Sequence, residues 1–128
     1  MATEIQKQCE MIEDCYEFTL SFAARGVPTD DGSGLRERLT RSVEAILSLV
    51  RNGADVLREE QLAPAEKCEA FFAVLRRDAE SALAAMDLVL AAPVISSQLV
   101  DTLNASIHLR ALLADLFLLT EILDTRKP

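Results

Sequence analysis

Aromatic residues are scarce in this sequence: they make up 5% of its 128 residues, whereas half of the residues are apolar. A core with so few aromatic rings must be built from Leu, Ala, Val and Ile, and that composition is typical of packed helices rather than of a β-sandwich. A chain of this length buries about two-thirds of the surface that its unfolded form exposes. We therefore predict one all-α domain over residues 1–128, which needs neither a disulfide nor a metal to hold it.

Cysteines are few, and their spacing does not suit a shared site. Cys9, Cys15 and Cys68 are an odd number, and no two of them have the C-x-x-C spacing of a zinc ribbon or a redox motif. The first residues lack the basic-then-apolar order of a secretory signal. The most apolar stretch, residues 105–123, is interrupted by charged side chains and a histidine, which makes it a poor membrane span. We therefore expect a cytoplasmic protein.

Basic residues are outnumbered, since the net charge is −8 and the sequence pI is about 4.6. Such a surface repels phosphate backbones and anionic lipid head groups, so we expect neither nucleic acid nor a membrane as a partner. Many of the arginines are interleaved with acids, as in Glu37 and Arg41 or Arg51 and Asp55, which stand at i,i+4 spacing. That pattern is typical of a solvated helix face.

Helix boundaries are marked by capping residues, glycine and proline. Thr3 begins a capping box, Gly26 ends the first segment, Pro64 opens the third, and Ser96 is a candidate cap for the fourth after Pro93. The apolar periodicity between these signals predicts helices at about 3–25, 34–60, 64–91 and 96–124. Short connections favour antiparallel neighbours, so we predict an up-down-up-down four-helix bundle.

Glycine is also rare, and one of the four glycines lies inside a predicted helix. Gly53 falls on the inward side of the second helix. A glycine there costs about 0.5–1 kcal/mol relative to alanine. Its presence indicates either a close approach of two helices or simple tolerance.

The first and fourth helices carry more apolar residues than one bundle core requires. Each has a second stripe, which consists of Met11, Cys15, Phe18 and Phe22 in the first helix and of Ile107, Ala111, Ala114, Leu118 and Ile122 in the fourth. Large exposed apolar patches are rare in monomers. We therefore predict that these residues form an interface, either in a homodimer or with an amphipathic helix of a client protein. The alternative is that both helices lie deep in an irregular bundle.

The lone histidine is the main polar candidate. On a continuous fourth helix, Asp101, Asn104, His108 and Asp115 would share one ridge, where a carboxylate could raise the pKa of the imidazole. A histidine phosphotransfer or signalling module is therefore an alternative function. Phosphotransfer domains of this kind place a Lys and a Gly just after the His, whereas Leu109 and Arg110 follow here.

A further alternative is a small-ligand or metal-binding bundle whose site is either an internal cavity or the acidic row of the first helix, namely Glu10, Glu13, Asp14 and Glu17. The sequence contains no nucleophile elbow, phosphate loop or haem attachment motif. We therefore expect a non-enzymatic interaction protein of the adaptor or chaperone type, with no catalytic residue, no cofactor and no metal.

Overall fold

The structure is a computed structural model, and it describes residues 4–60 and 64–125. It contains five α-helices, which are α1 (Glu4–Ala24), α2 (Leu35–Glu60), α3 (Ala65–Leu90), α4 (Ser97–Ala105) and α5 (His108–Thr125). Neither described stretch contains a β-strand. The all-α prediction is therefore confirmed, and the first three helices agree with their predicted bounds to within a residue or two. Thr3, the predicted cap of the first helix, lies outside the described residues.

The predicted fourth helix over 96–124 is not continuous, because the chain leaves the helix at Ser106 and Ile107. The Ser106 amide donates to the carbonyls of Thr102 and Leu103, both at 3.2 Å, and Ile107 has a φ of +61°. A left-handed residue turns the chain away from the helix axis. The next helix then starts with the Ala111 amide donating to the Ile107 carbonyl at 2.8 Å. No glycine or proline marks this break, so the sequence pattern did not reveal it.

The helices pack so that α1 has neighbours on several sides. It contacts α2, α4 and α5, while α3 contacts α2, α4 and α5. The buried side of α1 is correspondingly broad and combines both of the stripes seen in the sequence; it comprises Ile5, Gln8, Cys9, Ile12, Cys15, Thr19 and Phe22.

Helix ends follow the predicted chemistry in two places. Gly26, just beyond α1, has a φ of +65°, the left-handed conformation that glycine adopts without steric cost. The Ser96 hydroxyl accepts a hydrogen bond from the Leu99 amide at 3.0 Å and so caps α4. Ile95 and Val100, which flank this cap, are both fully buried.

A buried carboxylate connects the two long loops at one end of the molecule. Asp30 accepts hydrogen bonds from the Ile95 amide at 2.9 Å and from Arg36 Nε at 2.8 Å. The Arg36 guanidinium also donates to the carbonyls of Leu90 at 3.1 Å and Ala92 at 2.8 Å. Burial opposes ionisation of Asp30, but these hydrogen bonds outweigh it and lower the pKa of the carboxyl group. The loop before α2 is thereby held against the end of α3.

Gly53 marks a close approach of α2 and α3. A Cβ atom added at Gly53 would lie 2.7 Å from Cε2 of Phe72 on α3. A glycine inside the helix was attributed either to a close approach of two helices or to simple tolerance. This contact supports the close approach.

In the described part of the chain, no helix is both long and apolar enough to cross a membrane.

Candidate functional site

Of the predicted interface residues on α1, two lie in the core. Cys15 and Phe22 are 3% and 0% exposed, so neither can contact a partner in this structure. Met11 remains 47% exposed and Phe18 is half-buried. The prediction of a separate outward stripe on α1 is therefore wrong for Cys15 and Phe22, because the several neighbours of α1 use both stripes for the core.

Phe18 is covered by basic side chains rather than by apolar ones. The Arg38 guanidinium lies 4.2 Å from the centroid of its ring, and the Arg25 guanidinium lies 5.6 Å from the same centroid. These distances are within the range of cation–π contacts, which are attractive and keep the charged groups in water. Much of the surplus apolar surface of α1 is therefore covered by other side chains of the same chain.

Several apolar side chains on the outer surface of α5 remain exposed, on the same side as the charged Arg110 and Glu121. The side chains of Phe117, Leu118 and Ile122 are 43%, 51% and 39% exposed. Ala114 is exposed and Ala111 is half-buried on the same side. We call these five residues the outer α5 face. Ile107, at 59% exposure, precedes α5 in the left-handed conformation described above.

The opposite side of α5 already fills the core, with Leu109, Leu112, Leu113, Leu116, Leu119 and Leu123 buried. The outer α5 face is therefore additional to the apolar surface that the bundle needs. Four of its five members belong to the predicted interface set. Phe117 is the additional member, and the predicted stripe does not include it.

Two apolar depressions border the outer α5 face. On the α3 side, a cavity of about 240 Å³ is lined mainly by Leu57, Phe71, Leu118 and Ile122, with Lys67 and Cys68 at the α3 wall. On the α1 side, a cavity of about 370 Å³ is lined by Leu20, Phe117 and Arg110, together with Glu13 and Glu17 of α1 and other residues. The α5 ridge is thus flanked by concave surfaces that can receive side chains from a partner.

The predicted polar ridge does not exist as one site. Asp101 and Asn104 lie on α4, whereas His108 and Asp115 lie on α5 beyond the break. Asn104 accepts a hydrogen bond from the Thr19 hydroxyl at 3.2 Å, and His108 is exposed at the start of its helix. The ridge was predicted for one continuous helix, and the break removes that common helix from the alternative of a phosphotransfer site.

Asp115 instead belongs to a carboxyl pair between two helices. It faces Asp78 of α3, and its Oδ2 atom is buried with no hydrogen-bond partner among the described residues. Burial, reinforced by the neighbouring Asp78 carboxylate, raises the pKa of Asp115 to about 7. Two neighbouring carboxyl groups resist simultaneous ionisation, so the protonated form of Asp115 is favoured between α3 and α5.

Two cysteine thiols are held in their protonated form. Burial, with the charges of Glu13 and Glu10, raises the pKa of Cys9 to about 11. Burial also raises the pKa of Cys15, and the nearby Ser42 hydroxyl and Arg38 only partly oppose this. Because the thiolate is the nucleophilic form, neither side chain is prepared for covalent catalysis.

Metal ligands do not converge in the part of the chain that the structure describes, where no group of three or more His, Cys, Asp or Glu side chains could hold an ion. The acidic row of Glu10, Glu13, Asp14 and Glu17 follows α1 without forming such a group. Compared with models of protein families, with curated proteins and with solved structures, the chain shows no significant match.

Proposed function

We propose that this chain is a non-enzymatic protein–protein interaction module that binds through the outer α5 face. The partner is either a second copy of the chain or an amphipathic helix of another protein. One observation carries the proposal: Phe117, Leu118 and Ile122 are exposed side by side on a helix whose opposite side already fills the core. Burial of such side chains stabilises a complex by roughly 25 cal/mol per Å² before the costs of association are subtracted.

The shape of the surface supports a helix as the partner element. The outer α5 face runs along the helix axis, and depressions lie on its α1 and α3 sides. An amphipathic helix presents anchors at i, i+3, i+4 and i+7, and these can enter such depressions on either side of a ridge.

We also propose that the five helices form an antiparallel four-helix bundle in which the fourth member is broken at Ser106 and Ile107. Two contacts support this arrangement. Gln6 near the start of α1 donates to Asp124 near the end of α5 at 3.0 Å, and Ser97 at the start of α4 donates to the Phe22 carbonyl near the end of α1 at 2.7 Å. In this arrangement α4 and α5 together run beside α1 in the opposite direction.

A non-enzymatic role in the cytoplasm is consistent with the buried thiols. The raised pKa values of Cys9 and Cys15 disfavour nucleophilic chemistry, and an odd number of cysteines suits a reducing compartment.

A photo-crosslinking residue in place of Ile122 tests the proposal in cells that naturally produce the protein. We expect a discrete crosslinked product, because a partner that covers the outer α5 face must contact this position. The product should disappear when Leu118→Asp is added and persist when Leu88→Asp is added. Leu88 is a matched control, since it is an exposed leucine (76%) on α3, away from the outer α5 face.

The same crosslinking residue placed at Leu88 should give no discrete product. Absence of a product from position 122, or equal products from positions 122 and 88, would overturn the proposed interaction surface.

A further inference from the structure

The depression on the α1 side of the outer α5 face combines an apolar floor with a wall of carboxylates. Its volume is about 370 Å³, and its floor includes Leu20 of α1 and Phe117 of α5, which are 48% and 43% exposed. Glu13 and Glu17 line it from α1. Neither carboxylate has an ion-pair partner among the residues that the structure describes. We call this depression the α1–α5 groove.

Negative charge is concentrated on the two helices that form the groove. Together α1 and α5 contain eight Asp or Glu residues and only two Lys or Arg residues, so they carry a formal charge of −6 out of −8 for the whole chain. The contrast with α2 is clear, since that helix contains five acidic and five basic residues. The acidic excess therefore lies on the same helices that border the exposed apolar groove.

One basic side chain also lines the groove. Arg110 lies on its α5 side, two helical turns before Phe117. It is outnumbered, because Glu13 and Glu17 line the same groove and Glu121 is exposed on the same side of α5. The groove as a whole therefore presents an excess of negative charge to whatever occupies it.

This charge selects among the possible occupants of the groove. Complementary charge speeds encounter and favours the correct partner, whereas like charges placed side by side disfavour the wrong one. A second copy of the chain would bring a further charge of −8 against the same carboxylates. A segment with Lys or Arg beside its apolar residues would instead pair with carboxylates that have no ion-pair partner within the described part of the chain.

We propose, on the basis of the proposed function, that the partner is a basic amphipathic helix of a different protein. Its apolar side chains enter the α1–α5 groove and cover the outer α5 face, and its Lys or Arg side chains face Glu13 and Glu17. Burial of the apolar side chains supplies most of the affinity, because charge pairs at the rim of an interface remain in contact with water.

Two synthetic peptides that differ only in charge test the proposal on the full-length protein. Each has 18 residues, the length of α5, with Leu at i, i+3, i+4 and i+7 spacing. The positions that flank the Leu residues are Lys in one peptide and Glu in the other. Fluorescence anisotropy should show at least about tenfold tighter binding of the Lys peptide. Its affinity should fall about threefold or more between roughly 50 and 300 mM NaCl, because salt screens exposed charges.

Variants then locate the binding site of the Lys peptide. Glu13→Gln combined with Glu17→Gln should weaken its binding at least about threefold. The matched control is Glu37→Gln combined with Glu44→Gln, which removes two exposed carboxylates from α2 and changes the net charge equally. This control should alter the affinity by less than about 1.5-fold. Phe117→Ala should weaken binding at least about fivefold, and circular dichroism verifies that the helices of each variant are intact.

Equal binding of the two peptides would overturn the inference. So would a Lys peptide that does not bind, or an equal loss of affinity in the α1 and α2 variants. A crosslinked product at position 122 that proves to be a second copy or an acidic segment also overturns it, although the proposed function then stands. If position 122 gives no product, both fall.

Discussion

The contact between Gly53 and Phe72 allows a quantitative test of how closely α2 and α3 approach. A Cβ atom at position 53 would be 2.7 Å from Cε2 of the Phe72 ring and 3.4 Å from Cζ. Carbon atoms pack best at about 3.5–4.0 Å, so the ring would have to move by about 1 Å. The contacted atoms are at the far end of the side chain, so the ring can yield, but it does so by leaving its preferred position.

Two opposing effects set the expected result for Gly53→Ala. Alanine favours the helix by about 0.8–1.0 kcal/mol relative to glycine. Overpacking of a filled site typically costs about 1–3 kcal/mol. We therefore expect Gly53→Ala to lower the free energy of unfolding by roughly 0–2 kcal/mol in the wild type. In a Phe72→Ala background the ring is gone, and the same change should raise it by about 1 kcal/mol.

A double-mutant cycle measures this difference as a coupling energy of about 1–3 kcal/mol. Urea unfolding of the four proteins gives the free energies, and equal m values verify that the unfolding transition is comparable. The cycle is repeated with Leu118→Asp present, so that association cannot contribute. If Gly53→Ala stabilises both backgrounds equally, the helices do not approach closely at Gly53 and the reasoning is refuted.

Three further predictions concern polar and strained groups. Asp115→Asn should raise the free energy of unfolding at pH 8 by about 1–2 kcal/mol, which is less than the full pKa shift implies because the side chain keeps some contact with water. The pKa of Asp115 is about 7 in the folded protein and near 4 in the unfolded chain, so wild-type stability should fall from pH 4 to 7. Urea unfolding across that range should show a flatter stability profile for the variant. Ser42→Ala should raise the stability by about 0.5–1.5 kcal/mol, because the buried hydroxyl has no partner among the described residues stronger than the nearby Cys15 thiol, which is a weak hydrogen-bonding group, and a lower melting temperature would contradict this. Ile107→Gly should stabilise by about 1 kcal/mol in urea unfolding by removing the left-handed strain, whereas Ile107→Ala, which keeps that strain, should not.

Helix positions were predictable because their signals are local. Ser96 caps α4 through its own hydroxyl, and Gly26 closes the end of α1 through its own backbone freedom. Neither depends on a distant contact. The break at Ser106 and Ile107 was missed because Ile107 has no intrinsic preference for a left-handed φ. There the packing of α4 and α5 onto the bundle overrides the local preference.

The exposure of the second apolar stripe was predictable on α5 and only in part on α1. Leu118 and Ile122 are exposed as expected, whereas Cys15 and Phe22 are buried. Periodicity shows that a helix has two apolar stripes, but it does not show how many neighbours the helix will have. The proximity of Asp78 and Asp115 could not be predicted from the sequence either, since the two residues are far apart along the chain and neither belongs to a recognisable motif.

The sequence by itself determined the helical class, the ends of most helices and the excess of apolar residues, because propensity, capping and periodicity act over a few neighbouring residues. Only the tertiary structure decided which of these surplus apolar residues are buried and which stay exposed. On α1 part of the excess is buried by three neighbouring helices or covered by arginine side chains while Met11 stays exposed, whereas on α5 most of it is left on the surface. The physical reason is that burial is a property of the whole assembly of helices and cannot be assigned to one helix from its own pattern.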